Sequence, residues 1–197
     1  MKTRIIVTLS AGVWLAVVSF GLGILCNYEI TPGKAAIPEV MWPQKSRIRQ
    51  DSNRATLVML AHPKCPCSRA SIGELARLMA HSQGKVASFV LFLKPQGVAA
   101  NWEKTDLWRS AAAIPGVRVL GDEKGREAQL FRATTSGQTL LFDKQGRLLF
   151  SGGITGSRGH SGDNAGLDAV VSLLNSGKAQ QSKTLVFGCS LIDSNAS

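Results

Sequence analysis

From Ile5 to Leu25 the chain runs IIVTLSAGVWLAVVSFGLGIL without a single charged residue. As a helix this stretch rises about 31 Å, close to the thickness of a bilayer's hydrocarbon core. It therefore reads as a membrane span rather than as a buried helix of a soluble domain. Lys2 and Arg4 precede it, and the positive-inside bias holds that end in the cytoplasm. The remainder then lies across the inner membrane, which for a bacterial chain means the periplasm. A cleaved signal peptide has a shorter apolar region ending in small residues. The stretch GILCNYE has no A-x-A site, and Ile24 and Leu25 before Cys26 are too bulky for a lipoprotein cleavage site. The expectation is a single-pass anchor over residues 1–26 that stays in place.

Beyond the anchor, NYEITPGKAAIPEVMWPQKS carries Pro32, Pro38 and Pro43 with Gly33. These residues oppose helix and strand alike, so residues 27–54 read as an extended tether. The remaining residues, 55–197, are enough for one domain. The formal charge of +10 is scattered among Asp, Glu and Gly. There is no basic and aromatic array, zinc-finger spacing or helix-turn-helix pattern, which excludes a nucleic-acid partner. The charge suits solubility and attraction to anionic headgroups beside the anchor.

Within the domain, ATLVMLAH is a short apolar run of the kind that forms a buried strand, stopped by Pro63. Ile72, Leu75, Leu78 and Met79 then share one helical face. VASFVLFL reads as a second buried strand, NWEKTDLWRSAAAI as a helix ending before Pro115, VRVL as a third strand and DEKGREAQLFRA as a helix weakened by Gly125. QTLLFD, KQG and RLLFSGG make a hairpin. A glycine-rich loop, GGITGSRGHSGDNAG, leads to a last helix with Leu167, Val170, Val171 and Leu174 as its apolar stripe. Strands alternating with helices, then a hairpin and a helix, give an α/β fold around one mixed sheet.

Four cysteines punctuate this pattern: Cys26, Cys65, Cys67 and Cys189. Cys26 lies at the membrane edge and reads as a passive small hydrophobe. The other three are an odd number, so at least one is free, metal-bound or exchanging. Cys65 and Cys67 sit where the first strand turns into its helix. The unpaired N–H groups of a first helical turn favour a thiolate there, which is both nucleophile and metal ligand. His62 and Lys64 add positive charge, as does Arg69. Only Pro66 separates the pair, so a disulfide between them closes a small, strained and labile ring. Cys189 is the other partner for either sulfur, and the sequence does not choose. His81, at the far end of its helix, reads as passive.

The element order, with a cysteine motif between the first buried strand and its helix, resembles the thioredoxin fold. VLGDEKGREAQLFRATTSGQTLLFDKQGRLLFSGG is similar to the second half of membrane-anchored thioredoxin-like proteins of cytochrome biogenesis and of peroxiredoxins. TPGKAA, HPKCPCSRASIGEL, FSGGITGSRGHSGDNAG and FGCSL together resemble the RedB-type bacterial thioredoxin-like proteins. That resemblance covers nearly the whole chain and implies a redox setting, with a redox partner protein or a membrane-assembly substrate. It also implies a proline opening the strand before the hairpin turn, opposite the cysteines. Gln138 stands at that place here, which puts generic protein-disulfide activity in question and leaves room for a metal.

Three functional readings follow. In the first, a thiol–disulfide oxidoreductase, Cys65 is the more exposed thiol and the nucleophile. Cys67 resolves the mixed disulfide, Cys189 is a possible third participant, and His62 holds the thiolate or passes a proton. In the second, a copper-binding assembly factor, the glycine-rich loop brings His160, and with it Asp163, to Cys65 and Cys67. Thiolates with imidazole suit Cu(I), as in Sco-type proteins, although those separate their cysteines by three residues. The favoured reading of Asp163 with Asn164 is a cap of the last helix. In the third, the domain is a scaffold without chemistry. The sequence lacks both the G-x-x-x-x-G-K-[ST] phosphate loop and the G-x-S-x-G elbow.

Overall fold

The architecture below is that of a computed structural model, which describes residues 2–34, 37–82 and 84–191. Two compact units divide at Thr31 and Pro32. The first is the uncharged run, a continuous helix α1 (Lys2–Ile30) of 29 residues. It runs four residues past the expected boundary at Cys26, because nothing from Asn27 to Ile30 breaks a helix and Pro32 does. Ile5, Val13, Phe20 and Leu25 are exposed along it. Its length and composition suit a single-pass anchor or a signal sequence.

The second unit is built on a five-stranded sheet. Its elements are β1 (Ala55–Ala61), α2 (Pro66–Ser82), β2 (Val86–Lys94), α3 (Asp106–Ala112), β3 (Val117–Glu123), α4 (Arg126–Leu130), β4 (Gln138–Phe142), β5 (Leu148–Gly152) and α5 (Ala165–Ser176). The sheet order is β3-β2-β1-β4-β5. β1, β2 and β3 run parallel, and β4 and β5 antiparallel to their neighbours. β1 is central and buried on both faces, which is why it reads as a continuous apolar run. Alternate residues feed separate cores. Leu57 and Met59 pack with Leu75, Leu78 and Val170 beneath α2 and α5, while Val58 and Leu60 pack with Phe89, Phe131 and Phe142 on the other face.

The segment before β1 differs from expectation. The stretch read as a tether is a strap on the domain. Trp42 and Ile48 are buried in the second core, and the indole meets Phe131 and Phe142 edge-on with centroids 5.1 Å away in each case. Trp42 N–H donates to the Gly146 carbonyl at 2.7 Å, Leu148 N–H to Val40 at 2.8 Å, and Ser46 Oγ to the buried Glu127 carboxylate at 2.6 Å. The prolines do keep the segment out of helix and sheet. They do not stop an extended chain from burying an indole that water disfavours. The tail likewise runs beside β5, bridged in parallel at Ser151 and Lys183, and covers an edge that would otherwise be open. α3 begins at Asp106, five residues later than the apolar pattern predicted from Asn101.

The strap gives a direct test. Trp42, 7% exposed, should cost about 3–5 kcal/mol of stability when changed to Ala, whereas Ile37→Ala, at a side chain 79% exposed, should change stability by less than about 0.5 kcal/mol. Chemical unfolding of the detergent-solubilised chain reads both. A freely moving tether would make the two substitutions equally silent.

Candidate functional site

The three cysteines of the second unit meet where β1 hands over to α2. His62, Pro63 and Lys64 form a turn closed by Cys65 N–H donating to the His62 carbonyl at 3.2 Å. Cys65 immediately precedes α2, and its carbonyl accepts the Ser68 N–H at 3.0 Å. Cys67 lies in the first helical turn. Both are buried, Cys65 at 1% exposure and Cys67 at 6%. The expectation that Cys65 is the more accessible thiol is therefore reversed.

The cover comes from the C-terminal segment. Thr135 and Ser190 form an antiparallel bridge. On either side of it, Ser136 N–H donates to the Cys189 carbonyl at 2.8 Å and Leu191 N–H to the Thr134 carbonyl at 2.9 Å. Phe187 and Leu191 flank Cys189 and are buried. Gly188 lies so close to Ser136 that an added Cβ would overlap the Ser136 carbonyl oxygen. Held on both sides, Cys189 hydrogen-bonds to Cys65 through both its thiol and its backbone N–H.

Serines complete the surroundings. His62 N–H donates to Ser136 Oγ at 2.7 Å, and Ser136 Oγ lies 2.6 Å from Ser68 Oγ. The Ser68 hydroxyl hydrogen-bonds to the Cys65 sulfur. With that proton directed at sulfur, Ser136 donates to Ser68, and the hydroxyls form a relay ending on Cys65. Burial pushes the Cys65 thiol up, but Cys189 and Ser68, each giving a side-chain and a backbone donor, outweigh it and hold Cys65 below the usual thiol range. Burial and then the charge of Cys65 push Cys67 up, against the pull of Arg158. Burial, followed by its bond to Cys65 and that thiolate's charge, pushes Cys189 up to about 12. Of the three sulfurs, Cys65 is therefore the first to ionise.

The glycine-rich loop reaches this site with a different residue from the one expected. Arg158 hydrogen-bonds to Cys67 and donates to the Gly188 carbonyl at 2.7 Å. His160 is exposed, its ring beside the backbone of Gly156 and Gly162. Asp163 pairs with Arg77 at 3.5 Å, and Asn164 caps α5 by accepting the Leu167 N–H at 2.8 Å. Among the described residues no group of three or more His, Cys, Asp or Glu side chains is disposed to hold a metal ion.

The ring of His62 is half-buried on the rim. Its Nδ1 accepts the Lys64 N–H at 3.2 Å, and it meets Trp102 edge-on at 5.6 Å. Lys64 Nζ stands 4.7 Å over the same indole. Arg69 pairs with Asp106, away from the sulfurs. In the place read for a proline, the chain runs Ser136-Gly137-Gln138. Gly137 has φ +88°, and an added Cβ would come within 2.8 Å of Ser71 Oγ. Sequence reading passed over Ser68, Ser136 and Arg158. Of these, only Ser68 carried a signal, three residues after Cys65 and so within reach of its sulfur at a helix start.

Solved structures similar to this chain include the following three. An uncharacterized conserved protein from Geobacillus kaustophilus aligns with TM-score 0.60 and 19% identity over 85% of this chain and 95% of its own. A hypothetical protein from Sinorhizobium meliloti 1021 aligns with TM-score 0.56 and 22% identity over 82% and 94%. The pneumococcal exposed lipoprotein thioredoxin from Streptococcus pneumoniae aligns with TM-score 0.48 and 14% identity over 71% and 98%. No family model matches the sequence, and no curated protein matches it. A parallel β1–α2–β2 unit joined through β1 to an antiparallel β4–β5 hairpin and closed by α5 is a thioredoxin-like fold, with β3 added at one edge.

Proposed function

We propose that this chain is a membrane-anchored thiol–disulfide oxidoreductase of RedB type, its domain facing the periplasm, with Cys65 as the nucleophile. The observation that carries the reading is a buried thiol at a helix start that is surrounded by hydrogen-bond donors and faced by two further thiols. A thiolate, not a thiol, attacks a disulfide. The donors of Cys189 and Ser68 favour charge on the Cys65 sulfur. Arg158 lowers the cost of charge on Cys67 and pins the tail at Gly188. The rim of His62, Lys64 and Trp102 offers an incoming substrate one cation and one indole face.

In this reading Cys65 attacks one sulfur of a substrate disulfide, forming a mixed disulfide and releasing a thiolate. A second cysteine of the chain then displaces the remaining substrate thiol. The decisive measurement is a redox titration of the detergent-solubilised chain, with thiol count and bound metal determined on the same sample. A two-electron transition that vanishes in Cys65→Ser supports exchange. Stoichiometric Cu(I) held through Cys65, Cys67 and His160, with no disulfide, would replace it by a copper carrier, and neither result would leave a scaffold.

The pH dependence follows from Cys65. Thiolate ultraviolet absorbance should titrate below the usual thiol range, and Cys65→Ser should remove that step. Ser68→Ala deletes one donor to a charged sulfur, worth about 1.5–3 kcal/mol, and should raise the midpoint by about one pH unit or more. An unmoved midpoint would sink the relay. The sign for stability is also fixed, because the folded value lies below the unfolded one. The thiolate's contribution is complete above the unfolded thiol value and is lost as pH falls through the folded value. The stability gap between the native chain and Cys65→Ser should therefore widen as pH rises across that window.

A further inference from the structure

We infer that the disulfide of the oxidised protein joins Cys65 to Cys189, so that the C-terminal segment supplies the resolving thiol and the neighbouring Cys67 does not. The inference rests on the oxidoreductase reading above and adds the connectivity that reading leaves open.

Geometry favours the tail. Cys67 belongs to the first turn of α2 and Cys65 lies just before it, and the two thiols also interact directly. Bridging Cys65 to Cys67 across Pro66 closes a small ring and works against that turn. Cys189 belongs to a separate segment whose backbone is fixed on both sides, at Ser136 and Thr134. Its thiol already donates to Cys65. Gly188 permits this approach, since any side chain there would overlap Ser136.

The chemistry also places Cys189 second in the sequence of events. Cys65 is 1% exposed, so a disulfide substrate reaches it only when residues 187–191 lift from 134–136. With oxidised glutathione as substrate, the Cys65 thiolate attacks one glutathione sulfur. The glutathione S–S bond breaks, a Cys65–glutathione disulfide forms, and one glutathione thiolate leaves. Cys65 has then lost its charge. Of the influences that hold the Cys189 proton in place, the bond to the Cys65 thiolate and that thiolate's charge both disappear. The first glutathione thiolate takes a proton from solvent, the tail re-docks, Cys189 loses its proton to solvent, and its sulfur attacks Cys65. The second glutathione leaves as a thiolate and takes a proton from solvent. Two electrons pass from the Cys65 and Cys189 sulfurs to glutathione, and one S–S bond replaces another. Burial still opposes its ionisation, so Cys189 is a poorer nucleophile while Cys65 is reduced and a better one once Cys65 has reacted.

Trypsin makes the test direct, because cleavage after Lys64 and Arg69 releases CPCSR, and cleavage after Lys183 releases the C-terminal peptide carrying Cys189. The detergent-solubilised full chain is equilibrated with oxidised glutathione, its free thiols are alkylated, and the digest is read by tandem mass spectrometry. The expected product is CPCSR linked through Cys65 to the C-terminal peptide, with Cys67 alkylated. A disulfide inside CPCSR with Cys189 alkylated overturns the inference and leaves the oxidoreductase reading standing. Alkylation of all three, with no disulfide or glutathione adduct, overturns both. Variants provide a second readout by intact mass. Cys189→Ser should accumulate a glutathione adduct on Cys65 at least tenfold over the native chain, and Cys67→Ser should not. Equal clearance of the adduct by Cys189→Ser and the native chain would remove the tail from the reaction.

Discussion

Two backbone hydrogen bonds, Ser136 N–H to the Cys189 carbonyl and Leu191 N–H to the Thr134 carbonyl, hold the C-terminal segment against the strand-entry loop beside the cysteines. They bury Cys65, bring a third sulfur to it, and turn two of the tail's own donors toward that sulfur. Without this pairing the domain would still have its sheet, but Cys65 would face solvent with little beyond Ser68 and the start of α2 to stabilise a charge. Arg158 reinforces the arrangement from the other side by joining the glycine-rich loop to the tail at Gly188. The site therefore depends on contacts between segments far apart in sequence, all brought to one end of β1.

Magnitudes decide which effect makes the thiolate. A helix N-terminus contributes about 0.3–1 kcal/mol to a nearby negative charge, whereas each hydrogen bond to a charged group contributes about 1.5–3 kcal/mol. Burying a thiolate is costly, and the dipole alone does not offset that. The donors of Cys189 and Ser68 act in the same direction as the dipole and outweigh that cost. The sequence argument rested on the smaller of these two effects. The same comparison explains the order of the three sulfurs. Charge on Cys65 opposes charge on Cys67 and Cys189, so each additional ionisation meets a neighbour of like sign in a poorly solvated place.

Legibility followed periodicity. β1 and β2 were readable as apolar runs, α2 and α5 as helical stripes, and β4–β5 as a hairpin, since each signal lies within one element. What the sequence did not disclose is carried by single apolar residues in punctuating company. Trp42 stands between Met41 and Pro43, Phe187 beside Gly188, and Leu191 after Ser190; no repeat marks them as core. Whether His160 or Arg158 turns inward depends on the loop's backbone path, which glycine leaves undetermined from sequence. The exposure assigned to Cys65 failed for a related reason. Its position before a helix was clear, but the segment that covers it lies more than a hundred residues away. The cap of α5 by Asn164, a local matter, was read correctly.

A tail tied into the same chain competes with any substrate at a large effective concentration, in the millimolar range for short flexible connections. It is also tied at the β5 edge, where Gly153 N–H donates to Leu185 at 3.2 Å and Ser151 N–H to Ser182 at 2.9 Å. Those bonds lie upstream of Phe187, so residues 187–191 can lift while the segment before them stays in place. In the covered state Cys65 is 1% exposed, so a reagent reaches its sulfur only after residues 187–191 move. In the proposed oxidoreductase, a substrate would gain access by offering 134–136 what the tail offers: an extended backbone with a sulfur at the position of Cys189. Selectivity in such a site is set by how well a partner replaces these bonds, more than by the intrinsic reactivity of the Cys65 thiolate.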